Sequence, residues 1–122
     1  MKVSIIIPTL NEGLVLEKTL TQIQQLSPHE VIVSDGGSAD NTCHIAKKSS
    51  NSLVIGSSGR ARQMNAAADE ATGDLLLFLH ADSRLEPKSY RKMLEFMNNS
   101  KWIGGAFTLC IESDKWSMNL IT

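Results

Sequence analysis

No apolar run in this chain is long enough to enter a membrane. The first one starts at Val3 and stops at Pro8, far short of the roughly 20 residues that a spanning helix needs, and too short for a signal peptide. No later apolar stretch is long enough to cross a bilayer either, so no membrane span is expected and the chain reads as cytoplasmic. Positive charge is equally scarce: the net charge is -1 and no Lys/Arg block occurs. Phosphate-backbone binding needs a concentrated basic face, which argues against nucleic acid as a partner. Cysteine is limited to Cys43 and Cys110, with no CxxC pairing. Metal or redox use of the thiols is disfavoured, and two buried free thiols are expected. There is no GxGxxG fingerprint after any apolar run, so a dinucleotide-binding fold is disfavoured. Repeats, low-complexity tracts and linkers are also missing. One domain over residues 1–122 is the reading.

What is present is a regular alternation. Val3 to Pro8, Val31 to Val33 and Leu75 to Leu79 are short apolar runs, the signature of strands covered on both faces, and Leu53 to Ile55 reads as a weaker strand. Between them lie helical spacings. Leu16, Leu20, Ile23 and Leu26 recur over residues 14–26 with polar residues between them. A helix through Ile45 to about Lys48 has Ser38 or Asp40 as candidate cap. An Ala-rich helix spans residues 60–71 and is expected to close at Gly73. Glu86-Pro87 opens another, through Tyr90, Leu94 and Met97. A fifth strand is expected over residues 103–111, and residues 113–122, with Trp116, Met118, Leu120 and Ile121, read as the opening of a further helix. Strand–helix alternation specifies an α/β protein, with a mostly parallel sheet, helices on both faces, and right-handed crossovers.

Ligands of such sheets bind at the carboxyl ends of the strands. Thr9, Asn11 and Glu12 follow the first strand; Asp35, Gly36 and Gly37 follow the second; His80 and Asp82 follow the fourth. Asp35 at a strand tip can accept from a base N–H or a ribose hydroxyl; it equally suits an Asx turn. Gly36 and Gly37 permit close backbone approach. The Asp82 carboxylate suits Mg²⁺ or Mn²⁺ that also holds a diphosphate. His80 is a softer ligand and fits Mn²⁺ better; in the other reading Asp82 binds alone and His80 is a satisfied, partly buried histidine. Arg60 and Arg62 open a helix after a Gly/Ser loop, where phosphate is attracted to the helix N-terminus and guanidinium adds paired donors; a solvated surface pair is the alternative. His29 and His44 are expected to be structural or superficial.

Three blocks of residues resemble family 2 glycosyltransferases: Ile5-Ile6-Ile7-Pro8-Thr9-Leu10-Asn11-Glu12; Glu30 to Asp35 continuing through Gly36-Gly37-Ser38-Ala39-Asp40-Asn41-Thr42; and Gly59-Arg60-Ala61-Arg62-Gln63-Met64-Asn65 through Gly73-Asp74 to His80-Ala81-Asp82. The wording of the third block is similar to a bacterial family 2-like subgroup. The resemblance implies the N-terminal half of a GT-A fold in three α/β/α layers, a nucleoside-diphosphate sugar donor and a Mg or Mn cation. It implies nucleotide contacts at Pro8, Thr9, Asn11, Glu12, Asp35, Gly36, Arg60, Arg62, Asn65 and Ala81, and metal ligands at Asp82 and His80. The implied reaction is inverting sugar transfer to an unknown acceptor. Two departures stand out: Gly36 replaces a usual Asp, and His80 replaces the first acid of the DXD motif. Relative to the family the chain is expected to be truncated, without the acceptor segment and its general base, for which Glu112 and Asp114 are weak substitutes. The C-terminal apolar segment is the expected contact of a homodimer. A nucleotide-binding fragment without turnover is the alternative function. A nucleotidyltransferase is a weaker one, because the loop Thr9-Leu10-Asn11-Glu12-Gly13 is acidic rather than basic.

Overall fold

The computed structural model describes residues 1–99, 106–112 and 115–121, with side chains through residue 98. Two compact units make up the chain: Lys2–Ser83, and Arg84–Thr122 with Met1.

In the first unit four strands, β1 (Val3–Thr9), β2 (Glu30–Asp35), β3 (Ser52–Ile55) and β4 (Leu75–Phe78), form one sheet in the order β3-β2-β1-β4. Every pairing is parallel; Ile5 lies opposite Val31 and Leu77, and Thr9 opposite Asp35. The helices are α1 (Leu16–Gln24), α2 (Thr42–Ser49) and α3 (Arg60–Glu70). From β1 to β2 to β3 the chain steps in one direction, whereas β3 to β4 steps back past β1. Right-handed crossovers then place α1 and α2 on one face and α3 on the other. In agreement, α1 packs on α2, and α3 packs on β1 and β2. This is the expected three-layer α/β/α arrangement.

The core follows from the strand sequences. Side chains alternate between faces, so Ile6 and Ile32 point together and pack with Ala67 of α3, flanked by Val54, Ala68 and Ala71. Ile5, Ile7, Val31 and Val33 occupy the other face and are fully buried, as are Leu16, Leu20 and Ile23 of α1. The run at β4 departs from the expectation of a strand covered on both faces. Leu77 and Leu79 are buried, but Leu76 and Phe78 are each 38% exposed. Among the described residues of this unit β4 pairs with β1 alone, and an apolar run does not say how many neighbours it will have.

The amino ends of the strands are strapped by polar side chains. Ser4 Oγ donates to Glu30 Oε2 (2.6 Å), which also receives the Thr72 backbone N–H (2.6 Å) and the Thr72 hydroxyl (3.2 Å). His29 Nε2 bonds Thr72 Oγ1 (2.9 Å), which is its structural role. Gly73 does not cap α3 as expected; Ala71 does. Instead its backbone lies against β1, where a Cβ would meet the Ser4 nitrogen at 2.8 Å and the Lys2 carbonyl at 2.9 Å. Burial pushes the Glu30 carboxyl up, but the Ser4 and Thr72 donors and the nearby His29 outweigh it and hold the acid below its ordinary value. A depressed carboxyl contributes stability above its unfolded value of about 4.3, and that contribution is lost as pH falls through the folded value. Glu30→Gln is therefore expected to cost about 1 kcal/mol at pH 7, and the deficit should shrink below pH ~4. Urea denaturation of both proteins from pH 7 to pH 3 checks this; a deficit constant across that range would refute it.

The second unit holds α4 (Pro87–Asn99), β5 (Ala106–Glu112) and β6 (Lys115–Ile121). Pro87 opens α4 as expected, with the Tyr90 N–H bonding the Glu86 carbonyl (2.9 Å). β5 and β6 pair antiparallel, Ala106 opposite Ile121 and Glu112 opposite Lys115. Two expectations are corrected here. The fifth strand pairs antiparallel with β6, whereas a parallel neighbour was expected. The final segment is a strand rather than the opening of a helix: Trp116, Met118 and Leu120 recur at every second position, the period of a strand. The side chains that would make the expected dimer contact lie outside the described residues. No helix of the described residues is long and apolar enough to cross a membrane.

Candidate functional site

β1 is where the strand order reverses, because β2 and β3 lie to one side and β4 to the other. The crevice at such a switch point, beyond the carboxyl ends of the strands, is where an open α/β sheet takes its ligand. A groove of about 320 Å³ lies there, lined by Pro8, Thr9, Leu10, Glu12, Arg60, Gln63, His80, Ala81 and Asp82. That volume is at the lower end of small-molecule sites. Three separate segments meet in it: the turn after β1, the start of α3 and the turn after β4.

The turn after β4 is held in two ways. The Ser83 N–H bonds the His80 carbonyl (3.1 Å), closing the turn, and Thr19 Oγ1 of α1 donates to the Ala81 carbonyl (2.5 Å). Ala81 is thereby buried while His80 and Asp82 on either side are exposed toward solvent. Across the groove Arg60 Nη2 donates to His80 Nδ1 (3.1 Å). A guanidinium has no acceptor, so Nδ1 must accept and the ring proton sits on Nε2. His80 is thus exposed and paired rather than partly buried. The N-terminus of α3 has no side-chain cap, which leaves its first N–H groups and the positive end of its dipole available beside Arg60.

Asp35 is fully buried and does not line the groove. Its carboxylate accepts four donors: Thr9 Oγ1 (2.7 Å), Ser38 Oγ (2.6 Å), Gly37 N (2.9 Å) and Ser38 N (2.7 Å). The geometry is that of an Asx turn tied back to β1. Burial pushes this carboxyl up, but the Ser38, Thr9 and Gly37 donors together outweigh it and hold the acid below its ordinary range. Cys43, half-buried rather than buried, has its thiol pushed up by burial and by the Asp35 carboxylate. The turns after β1 and β2 are stitched together beyond Asp35. Asn11 N bonds Ser38 Oγ (2.8 Å), Ala39 N bonds Asn11 Oδ1 (2.8 Å), Glu12 N bonds Thr42 Oγ1 (2.9 Å) and Gly13 N bonds Asp40 Oδ2 (3.0 Å). Asp40 also receives the Thr42 N–H (3.0 Å) in a turn that leads into α2, but the cap position of that helix is Asn41, not Ser38 or Asp40 as expected. Asn11 takes a left-handed conformation (φ 55°) to do this, which asparagine tolerates.

Gln63 was missed in sequence. It is buried, its Nε2 donates to the Thr9 and Ser34 carbonyls (2.8 Å each), and its Oε1 accepts the Gly59 N–H (3.1 Å). One carboxamide thus ties the ends of β1 and β2 to the loop that carries Arg60. Its spacing on α3 was a usable signal: positions 60, 63 and 67 share a helix face, and Ala67 is core. Thr19 had no such signal among its apolar neighbours.

Of the expected nucleotide contacts, Pro8, Thr9, Glu12, Arg60 and Ala81 line the groove with the expected metal ligands His80 and Asp82. Asn11, Asp35 and Gly36 stand behind it in the stitched turns, and Arg62 and Asn65 are exposed on α3 outside it. Glu112 ends β5, its side chain outside the described residues, and Asp114 lies outside them altogether. No group of three or more His, Cys, Asp or Glu that could hold a metal ion occurs among the described residues. One imidazole and one carboxylate therefore cannot form an all-protein cage; a cation beside them would need phosphate oxygens and water to complete its shell.

The chain is 36% identical over 133 residues to a PGL/p-HBAD biosynthesis glycosyltransferase of Mycobacterium bovis, a match covering 87% of this chain and 52% of the relative. It is 31% identical to a dolichol-phosphate mannosyltransferase of Pyrococcus furiosus, over 81% of this chain and 31% of that one. The chain therefore spans about half the length, or less, of these curated relatives. Its fold matches glucosyl-3-phosphoglycerate synthase of Mycobacterium tuberculosis, solved with Mn²⁺, uridine diphosphate and glucosyl-3-phosphoglycerate. The TM-score is 0.71 at 22% identity, covering 82% of this chain and 40% of that one. The family model of glycosyl transferase family 2 matches residues 4–119, and the chain belongs to that family.

Proposed function

We propose that the unit Lys2–Ser83 is the donor-binding half of a glycosyltransferase and holds the diphosphate of a nucleoside-diphosphate sugar at the switch-point groove. The observation that carries this is the meeting of Arg60, His80 and Asp82, from two separate segments, in one open groove with Glu12 and Thr9. Arg60 offers paired donors to phosphate oxygens, and the uncapped start of α3 adds backbone N–H groups to the same anion. Pro8, Leu10 and Glu12 form the wall on which a nucleoside would rest. Asp82 with His80 would hold a divalent cation, which when bound supplies Lewis acidity toward the leaving diphosphate. The imidazole favours Mn²⁺ over Mg²⁺, and the presence of Mn²⁺ and uridine diphosphate in the solved relative supports that choice. Membership of family 2 supports an inverting course. An acceptor hydroxyl gives its proton to a general base and forms the new bond to the anomeric carbon, the bond from that carbon to the diphosphate breaks, and the nucleoside diphosphate leaves.

Thermal denaturation with uridine or guanosine diphosphate, each with and without Mn²⁺, tests the reading. At a ligand concentration 100 times its Kd, stabilisation is about 2.7 kcal/mol, which raises Tm by several degrees. The rise is expected to be larger with Mn²⁺ present. A folded sample whose Tm moves with no nucleotide under either condition would overturn the assignment.

A further inference from the structure

We infer that Arg60 and His80 are an exchange pair: Arg60 keeps the imidazole lone pair occupied until a diphosphate draws the guanidinium away, and His80 becomes able to ligate a cation only then. This rests on the donor-site reading above and adds an order to it, nucleotide first and cation second.

The argument is one of lone pairs. In the observed contact Arg60 Nη2 donates to His80 Nδ1 at 3.1 Å. An imidazole carrying one ring proton has one nitrogen lone pair, and Arg60 uses it. A cation at Nδ1 would compete for that lone pair directly. A cation at Nε2 would require the proton to move to Nδ1, where an N–H would then face the guanidinium donor. Through either nitrogen, ligation and the Arg60 contact exclude each other.

Asp82 is the remaining ligand on the turn, and it is exposed. A single exposed carboxylate holds Mg²⁺ or Mn²⁺ weakly without phosphate oxygens. A diphosphate changes both sides of the balance. Its oxygens offer Arg60 charge-assisted, paired bonds that are stronger than one bond to a ring nitrogen. Among the described residues lining the groove, Arg60 is the one Lys or Arg. It is exposed at the first position of α3, so its side chain can change partner without disturbing the core.

The test titrates the 122-residue chain with Mn²⁺, free ion being followed by electron paramagnetic resonance, with and without uridine diphosphate. The variants are Arg60→Met, His80→Ala and the double substitution. Both positions are exposed, so folding should be intact, and thermal melts verify it. Wild type should bind Mn²⁺ weakly alone and far more tightly with the nucleotide. Arg60→Met should bind Mn²⁺ alone roughly fivefold more tightly than wild type, the factor set by an ordinary hydrogen bond. That gain should vanish in the double variant. If the gain persists without His80, it is simple relief of charge repulsion and the inference fails. It also fails if the nucleotide binds wild type but Arg60→Met gains nothing. If the nucleotide binds with neither Mn²⁺ present nor absent, the donor-site reading falls and takes the inference with it. Ring nitrogen chemical shifts of His80 give a second readout. They should report the proton on Nε2 in the free protein, and a proton on Nδ1 there would overturn the pair.

Discussion

Gly36→Asp, which restores the acid implied at this position by the resemblance to family 2, is expected to lower stability by about 2–4 kcal/mol. In a domain of this size that is a fall in Tm of roughly 10–20 °C. Gly36 is buried, and a Cβ there would stand 2.9 Å from Gln63 Oε1 and 2.9 Å from the Ser58 backbone Cα. The Gln63 end is not a free side chain that can swing aside, because its carboxamide is bonded to Thr9, Ser34 and Gly59. A carboxylate would add charge beside Asp35, which is already ionised and saturated with donors. The departure from the family pattern at position 36 therefore has a physical partner at position 63. A single Gly36→Asp variant melting within 2 °C of wild type, about the size of a neutral surface change, would refute the account.

Asp35→Ala should cost about 3 kcal/mol or more, since it strands the buried Thr9 hydroxyl, the Ser38 hydroxyl and two backbone N–H groups in a partly buried turn. Hydrogen bonds to a charged acceptor are the strong ones, and four of them converge here. Asp35→Asn should be nearly as damaging, because the amide half would face donors. The pH dependence separates this residue's charge from its shape. The folded carboxyl lies below its ordinary value, so its contribution is complete above the unfolded value of about 3.9 and is lost as pH falls through the folded one. Chemical denaturation should show the wild-type advantage over Asp35→Asn fully developed at pH 6 and reduced at pH 3. An advantage of equal size at both pH values would show that ionisation plays no part.

Much of the sheet could be read from residue types alone. The β-branched runs at Ile5 to Ile7 and Val31 to Val33 have one comfortable place, the middle of a parallel sheet, and both strands are buried there. The run at Leu75 to Leu79 looks the same on paper yet pairs with β1 alone among the described residues of its unit, since apolarity reports what a strand tolerates and not how many neighbours it has. The last segment was misread because four apolar residues in a short window fit a helix loosely. Only the spacing of Trp116, Met118 and Leu120 decided for a strand. At the site, the residues that project from strand ends into the groove were identifiable from their place after each apolar run. What could not be read was the direction of each side chain. Asp35 and Asn11 follow strands just as Asp82 does, but their carboxylate and amide turn inward to fasten loops. Gln63 escaped notice because a glutamine on an Ala-rich helix is ordinary until its three partners, from sequence-distant segments, are known.

The strand order carries a consequence for how the protein is made. Of the four strands in this sheet β1 is made first and lies inside it, so both of its neighbours arrive later. The bond from the Lys2 N–H to Asp74 joins positions 72 residues apart, and β4 can zip to β1 only after that length has left the ribosome. At roughly 5–20 residues per second, the nascent N-terminal strand waits several seconds with one edge unpaired. That interval, rather than any weakness of the finished sheet, is when the isoleucine-rich segment is most open to chaperone capture or to pairing with another chain.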